Sequence, residues 1–114
     1  MIKEENDKVE NLFIQQVINV IEQNFTNESF DVAMLADCLH ISQPTLRRKI
    51  KKYSKLSAME LIRSVRISKA AVLIQKECYS IQEICEMVGY NDMKTFRKNF
   101  MDQFGVLPSK FDQK

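Results

Sequence analysis

Glycine and proline are scarce in this sequence, with two of each in 114 residues. So few turn-formers cannot supply the frequent reversals of a sandwich or barrel, and long helices are favoured. Tryptophan is absent and histidine occurs once, at His40. Cys38, Cys78 and Cys85 form no CxxC pair and no cluster with that histidine. A zinc site needs about four ligands at ordered spacings, so no metal is expected. Apolar sequence neighbours predict three free, buried thiols in a reducing compartment. No apolar run approaches the ~18 residues of a membrane span. The polar, acidic start MIKEENDKVEN lacks the basic-then-apolar order of a secretion signal. A cytoplasmic protein with no membrane partner is therefore expected. A phosphate-cradling glycine loop and a nucleophile–base–acid set are missing too, so neither catalysis nor a cofactor is expected.

What is present is ordinary globular composition, 45% hydrophobic and 28% charged, on a length that suits one domain. The net charge of +2 conceals a division. Residues 1–46 hold two basic and eight acidic side chains, whereas residues 47–114 hold fifteen basic and seven acidic ones. That imbalance points to a polyanion-facing surface on the later part of the chain.

Periodicity predicts helices throughout. Residues 1–8 read as a linker remnant or a disordered start. From Val9 the positions Leu12, Phe13, Val17, Val20, Ile21 and Phe25 suggest one apolar face, ending near Asn24. Asp31 is placed to cap a short helix carrying Val32, Leu35, Ala36 and Leu39. His40-Ile41-Ser42 interrupts it, and Ser42 caps a helix over about 43–53 with Pro44 in its first turn and Leu46, Ile50 and Tyr53 inward. Ser57 can cap a longer helix over about 58–75, with Leu61, Ile62, Val65, Ala70, Val72 and Leu73 apolar. Ser80-x-x-Glu83 is a capping box opening a helix with Ile81, Ile84, Cys85 and Val88. Gly89 supplies a turn, Asp92 caps the next helix, and Phe96 and Phe100 line its inner side. Gly105 closes that helix, and Pro108 starts a last short one anchored by Phe111.

Two stretches of this pattern repeat. At an offset of 49, Val32, Leu35, Ala36 and Leu39 match Ile81, Ile84, Cys85 and Val88. One extra residue enters at the second turn, and at an offset of 50 Leu46, Arg47, Arg48, Ile50 and Leu61 match Phe96, Arg97, Lys98, Phe100 and Phe111. The repeated object is a short helix, a tight turn and a second helix with a basic outer face. Small residues (Ala36, Cys85) allow close crossing, and apolar turn residues (Ile41, Tyr90) lock the pair. These are the requirements of a helix-turn-helix, whose second helix enters the major groove. Arg47 and Arg48 fall opposite Leu46 and Ile50; Lys94, Arg97 and Lys98 fall opposite Phe96 and Phe100. Arginine spans two acceptors of guanine, a pair worth ~1–3 kcal/mol of discrimination.

The stretch IQEICEMVGYNDMKTFRKNFMDQFGVLPSKF, residues 81–111, closely resembles the signature of bacterial AraC/XylS-type regulators. The resemblance extends over residues 10–111 and implies an all-α, seven-helix domain of two helix-turn-helix subdomains joined by a long central helix. Subdomain one would span 9–56, the linker helix 58–75 and subdomain two 80–111. Carried over by position, base-facing residues would be Pro44, Arg47 and Arg48 in the first recognition helix, and Met93, Lys94, Arg97 and Lys98 in the second. Arg66 takes a central-helix arginine position that would support packing between subdomains. Three positions depart from the pattern. Cys85 stands for alanine, Lys55 for a glycine (so that helix is expected to end differently), and Asp112 for an arginine.

An 18-residue central helix spans ~27 Å, which would hold two recognition helices about one DNA turn, ~34 Å, apart over roughly 20 base pairs. Straight duplex would bend to meet a rigid spacer. Phosphate contacts are expected from Ser42, Thr45, Lys49, Lys51, Lys52, Ser80, Thr95 and helix N-terminal amides. The implied partners are double-stranded DNA and RNA polymerase, with a fused sensor or receiver domain. The charged start favours an output domain cut from a longer regulator, such as a hybrid two-component sensor, over a standalone protein. A helix-turn-helix module that docks protein without direct DNA readout is the alternative; it would not require basic faces on both second helices.

Overall fold

The computed structural model describes residues 2–111, with side chains from residue 8 onward. Two of the positions discussed above, Met1 and Asp112, lie outside the described residues. Six α-helices and a 3-10 turn follow in order: α1 (Ile2–Asn24), α2 (Val32–Leu39), α3 (Gln43–Ser54), α4 (Ala58–Gln75), α5 (Ile81–Met87), α6 (Met93–Phe104) and the turn Pro108–Lys110. The seventh expected helix is thus a 3-10 turn, for only three residues follow Leu107 before the chain leaves helical bonding. Helix α1 starts at Ile2 rather than Val9, so the stretch expected as a linker continues the helix backbone.

The chain forms two compact units. The first is the chain through Asn24 with Phe30–Ile62; the second is Phe25–Ser29 with the chain from Arg63 onward. Helix α4 begins in the first unit and continues into the second.

In the first unit α1 packs on α2 and α3. Val17 and Ile21 from α1, Leu35 and Ala36 from α2, and Leu46 and Ile50 from α3 are all essentially inaccessible, joined by Phe30, Ala58 and Ile62. Leu12 is 66% exposed, against expectation. At about 100° per residue it lies about 140° round the helix from Val17, so it cannot share that face.

The second unit buries Ile67, Ala70, Ala71 and Ile74 of α4 against Ile84, Cys85 and Val88, the turn residue Tyr90, and Phe96 and Phe100 of α6. Phe25 packs here and not with α1. Phe111 seals the end of α6 through ring contacts to Phe100 (5.3 Å) and Phe104 (5.0 Å). Val72 is 50% exposed for the same geometric reason as Leu12, being about 140° from Ile67.

All three cysteines are free, but only Cys85 is buried. Cys38 lies on the outer flank of α2, and Cys78 lies in the loop after α4, where its Sγ meets the Lys76 carbonyl at 3.2 Å. Apolar sequence neighbours did not translate into burial because helix phase and loop position decide it.

Candidate nucleic-acid interface

Each unit builds one helix-turn-helix, and the same backbone hydrogen bonds recur at the two turns. In the first, α2 ends at His40 in the left-handed conformation (φ 58°), and the Ile41 amide donates to the Ala36 carbonyl at 3.2 Å. In the second, Gly89 takes the left-handed place (φ 88°), and the Tyr90 amide donates to the Cys85 carbonyl at 3.0 Å. The extra residue is Asn91, after which both second helices begin on a side-chain cap. Ser42 accepts from the Thr45 amide (3.3 Å), and Asp92 accepts from the amides of Lys94 (3.1 Å) and Thr95 (3.2 Å).

Both second helices also end alike. The Lys55 amide donates to the Lys51 carbonyl from a left-handed residue (φ 67°), as the Gly105 amide does to that of Met101 (φ 75°). Lys55 therefore reproduces the glycine ending, contrary to expectation, by accepting a conformation that L-residues reach at a cost of about 1–2 kcal/mol.

The inner face of α3 is Leu46 and Ile50, that of α6 Phe96 and Phe100, all 0% exposed. On the outer faces Pro44, Arg47 and Arg48 are exposed, as are Lys94, Arg97 and Lys98. Met93 departs from this group: it is half-buried and packs on the core of the second unit. Arg47 and Lys51 border a cleft of about 320 Å³ lined also by Val32, Ser57, Ala58 and Met59.

The residues expected at phosphates divide further. Lys49 is half-buried with its ammonium 5.1 Å from the centre of the Phe13 ring. Lys51 Nζ donates to the Lys55 carbonyl (3.1 Å), closing the end of α3. Lys52 is exposed and stands over Tyr53 at 5.7 Å. The Ser42 hydroxyl donates to Thr45 Oγ1 (2.8 Å), the Thr95 hydroxyl donates to Asp92, and Ser80 is occupied in a complete capping box with Glu83. These hydroxyls serve the helix ends first.

The two N-termini differ in charge. Hydrogen bonds from the Thr95 side chain and from the amides of Lys94 and Thr95, with the nearby Lys94 ammonium, hold the Asp92 carboxyl below its usual range. An anion approaching α6 by its first turn meets that carboxylate, whereas α3 begins on a neutral serine.

Arg66 is buried (8% exposed) and points to the loop between α1 and α2. Its Nη2 donates to the Asn27 carbonyl at 2.8 Å and its Nε to that of Phe25 at 3.3 Å. Burial lowers its pKa and the nearby Tyr90 works the other way, yet a guanidinium stays charged under all ordinary conditions. Both of these carbonyls lie within the second unit, to which Phe25–Ser29 belongs. Sequence reasoning also passed over Asn99 and Gln103 on α6, although the offset of 50 pairs them with Lys49 and Tyr53.

A family model described as a helix-turn-helix domain matches residues 35–114, more than half of the chain. The chain belongs to the AraC-type helix-turn-helix family. It is 29% identical over 106 residues to Histidine kinase P4 of Formosa agariphila, covering 93% of this chain and 8% of that protein. It is 28% identical over 99 residues to the HTH-type transcriptional activator CfaD of Escherichia coli, covering 87% of this chain and 37% of that one. The C-terminal domain of AraT, a response regulator from Geobacillus stearothermophilus, superposes with a TM-score of 0.77 at 28% identity, over 86% of this chain and 81% of that one. The chain thus spans well under half the length of these two curated relatives. As an AraC-type domain it is a DNA-binding module of transcription regulation. No helix among the described residues is long and apolar enough to cross a membrane.

Proposed function

We propose that the chain reads double-stranded DNA in a sequence-specific way, with α3 and α6 each entering a major-groove segment. The observation that carries this is the repeated second helix: fully buried pairs (Leu46/Ile50, Phe96/Phe100) face inward and exposed cations (Arg47/Arg48, Lys94/Arg97/Lys98) face outward. Arg47, Arg48, Lys94 and Arg97 contact base edges, with Lys98 beside them, since these types offer the donors that guanine accepts. Pro44 offers only apolar contact, as to a thymine methyl, and half-buried Met93 contributes little. Lys52 and the amides at the start of α3 hold phosphates; Lys49 and Lys51 assist less, being engaged by Phe13 and the end of α3.

The domain is the output end of a longer regulator with a sensor or receiver part. The support is its match to a small share of a histidine kinase and its likeness to the C-terminal domain of a response regulator. At a promoter it would work beside RNA polymerase.

Selection of bound duplexes from a random pool tests the readout. Enrichment of one motif with two separated blocks is expected. A protein-docking module would enrich nothing, and a motif with a single block would remove one helix from the reading.

A further inference from the structure

Phe96 and Phe100 seat α6 on the second unit by apolar burial. Such burial follows area and has little direction, so it changes slowly when a helix turns on its own axis. A base contact has no such tolerance. A turn of about 20° moves an atom on the helix surface, roughly 5.5 Å from the axis, by about 2 Å, and that breaks a hydrogen bond. A directional contact has to fix the angle.

Two side chains on one flank of α6, one helical turn apart, make such contacts. Asn99 Nδ2 donates to the Tyr90 hydroxyl at 2.8 Å. Gln103 Nε2 donates to Ser68 Oγ at 3.0 Å and reaches the Ser64 carbonyl at 3.4 Å. Tyr90 is a fixed reference: it is buried, follows the left-handed Gly89 and stands edge-on to Phe96 with ring centres 5.4 Å apart. The same two helix positions anchor α3, with different chemistry. There Lys49 and Tyr53 both lie on Phe13 of α1, the ammonium at 5.1 Å and the tyrosine ring edge-on at 5.7 Å.

The geometry points to Asn99 and Gln103 as positioning residues that lock the rotation of α6, and through it the base selectivity of Lys94, Arg97 and Lys98. The inference rests on the DNA readout proposed above. A merely structural pair of hydrogen bonds would lower stability and leave the ranking of bases untouched.

The test uses the 114-residue chain and the duplex it selects from a random pool, together with every single-base substitution of that duplex. Asn99→Ala, Tyr90→Phe and the double variant are compared, with denaturation measured alongside. Each single variant is expected to lose about five- to tenfold in selectivity within one block of the motif, and the double variant no more than either single. Asn99→Asp, to which the Tyr90 hydroxyl can donate, regains most of it. Gln103→Ala, at an exposed position, gives a folded variant with the same confined loss should the buried pair destabilise the chain. Wild-type selectivity in Asn99→Ala and Gln103→Ala overturns the positioning role while leaving the DNA readout standing. If the wild-type chain selects no motif, the readout falls and the positioning role with it.

Discussion

The Arg66 guanidinium donates to the carbonyl of Asn27, 39 positions earlier in the chain, at 2.8 Å. With the bond to Phe25 this ties the loop after α1 into the second unit. Hydrogen bonds from a charged donor contribute about 1.5–3 kcal/mol, and removing the donor strands the acceptors. Arg66→Met is therefore expected to lose about 2–3 kcal/mol in denaturant unfolding. Arg66→Lys keeps the charge without the fork and should recover only part of that loss. Equal midpoints for all three proteins would show that the two bonds hold nothing.

Gly89 and His40 fill the same place in the two repeats, and they respond oppositely to exchange. A Cβ on Gly89 would overlap the Phe25 carbonyl oxygen and crowd Arg66 Nε, at a φ of 88°. Gly89→Ala should cost about 2–4 kcal/mol, combining left-handed strain with displaced backbone. His40, exposed at φ 58°, already bears the strain. His40→Gly should stabilise the chain by about 0.5–1 kcal/mol, after the larger unfolded-state freedom of glycine is subtracted. Thermal unfolding of the two variants checks the signs.

Acid should loosen the helix starts of the second unit. Backbone and side-chain hydrogen bonds at Ser80 hold Glu83 below its usual range, as those of Thr95 and Lys94 do Asp92. A carboxyl depressed in the folded state stabilises above its unfolded value, near pH 4, and loses that contribution as pH falls through the folded one. Stability should thus decline below about pH 4. Asp92→Asn keeps an N-cap that cannot titrate. It should be folded at pH 7 and show a shallower decline between pH 5 and 2, measured by urea midpoints. An unchanged slope would remove Asp92 from the acid response.

Features set by near neighbours were legible in the sequence. The caps Asp31, Ser42, Ser80 and Asp92, each bonded three residues on or nearer, were readable because the bonds are local. So were the buried pairs of α3 and α6, whose spacing fits one face of a helix. Leu12 and Val72 were misplaced because hydrophobicity was counted without phase. Cys38 and Cys78 were misplaced because burial depends on partners far along the chain. Among candidate site residues the cations on the outer faces were readable from the repeat. The packing of Met93 against the core, of Lys49 onto Phe13 and of Lys51 onto the end of α3 depends on contacts that spacing does not specify. Arg66 was noticed, but partners 39 and 41 positions away could not be named.

The outer faces of α3 and α6 set the last expectation. Arg47→Ala or Arg97→Ala should each lower affinity for the selected duplex by ~1–3 kcal/mol and relax preference at one base position. Lys52→Ala should weaken every duplex evenly and flatten the dependence of log affinity on log salt by about one unit, as one phosphate contact fewer requires. Lys51→Ala should flatten that dependence less than Lys52→Ala and also lower stability slightly, since its ammonium bonds the Lys55 carbonyl. Binding titrations at several salt concentrations, run on the selected duplex and its single-base variants, separate these effects. A base-selective loss for Lys52→Ala, or an even loss for Arg97→Ala, would exchange their roles. The arginine fork and the lysine point charge predict different patterns because one matches two acceptors in a plane and the other matches only charge.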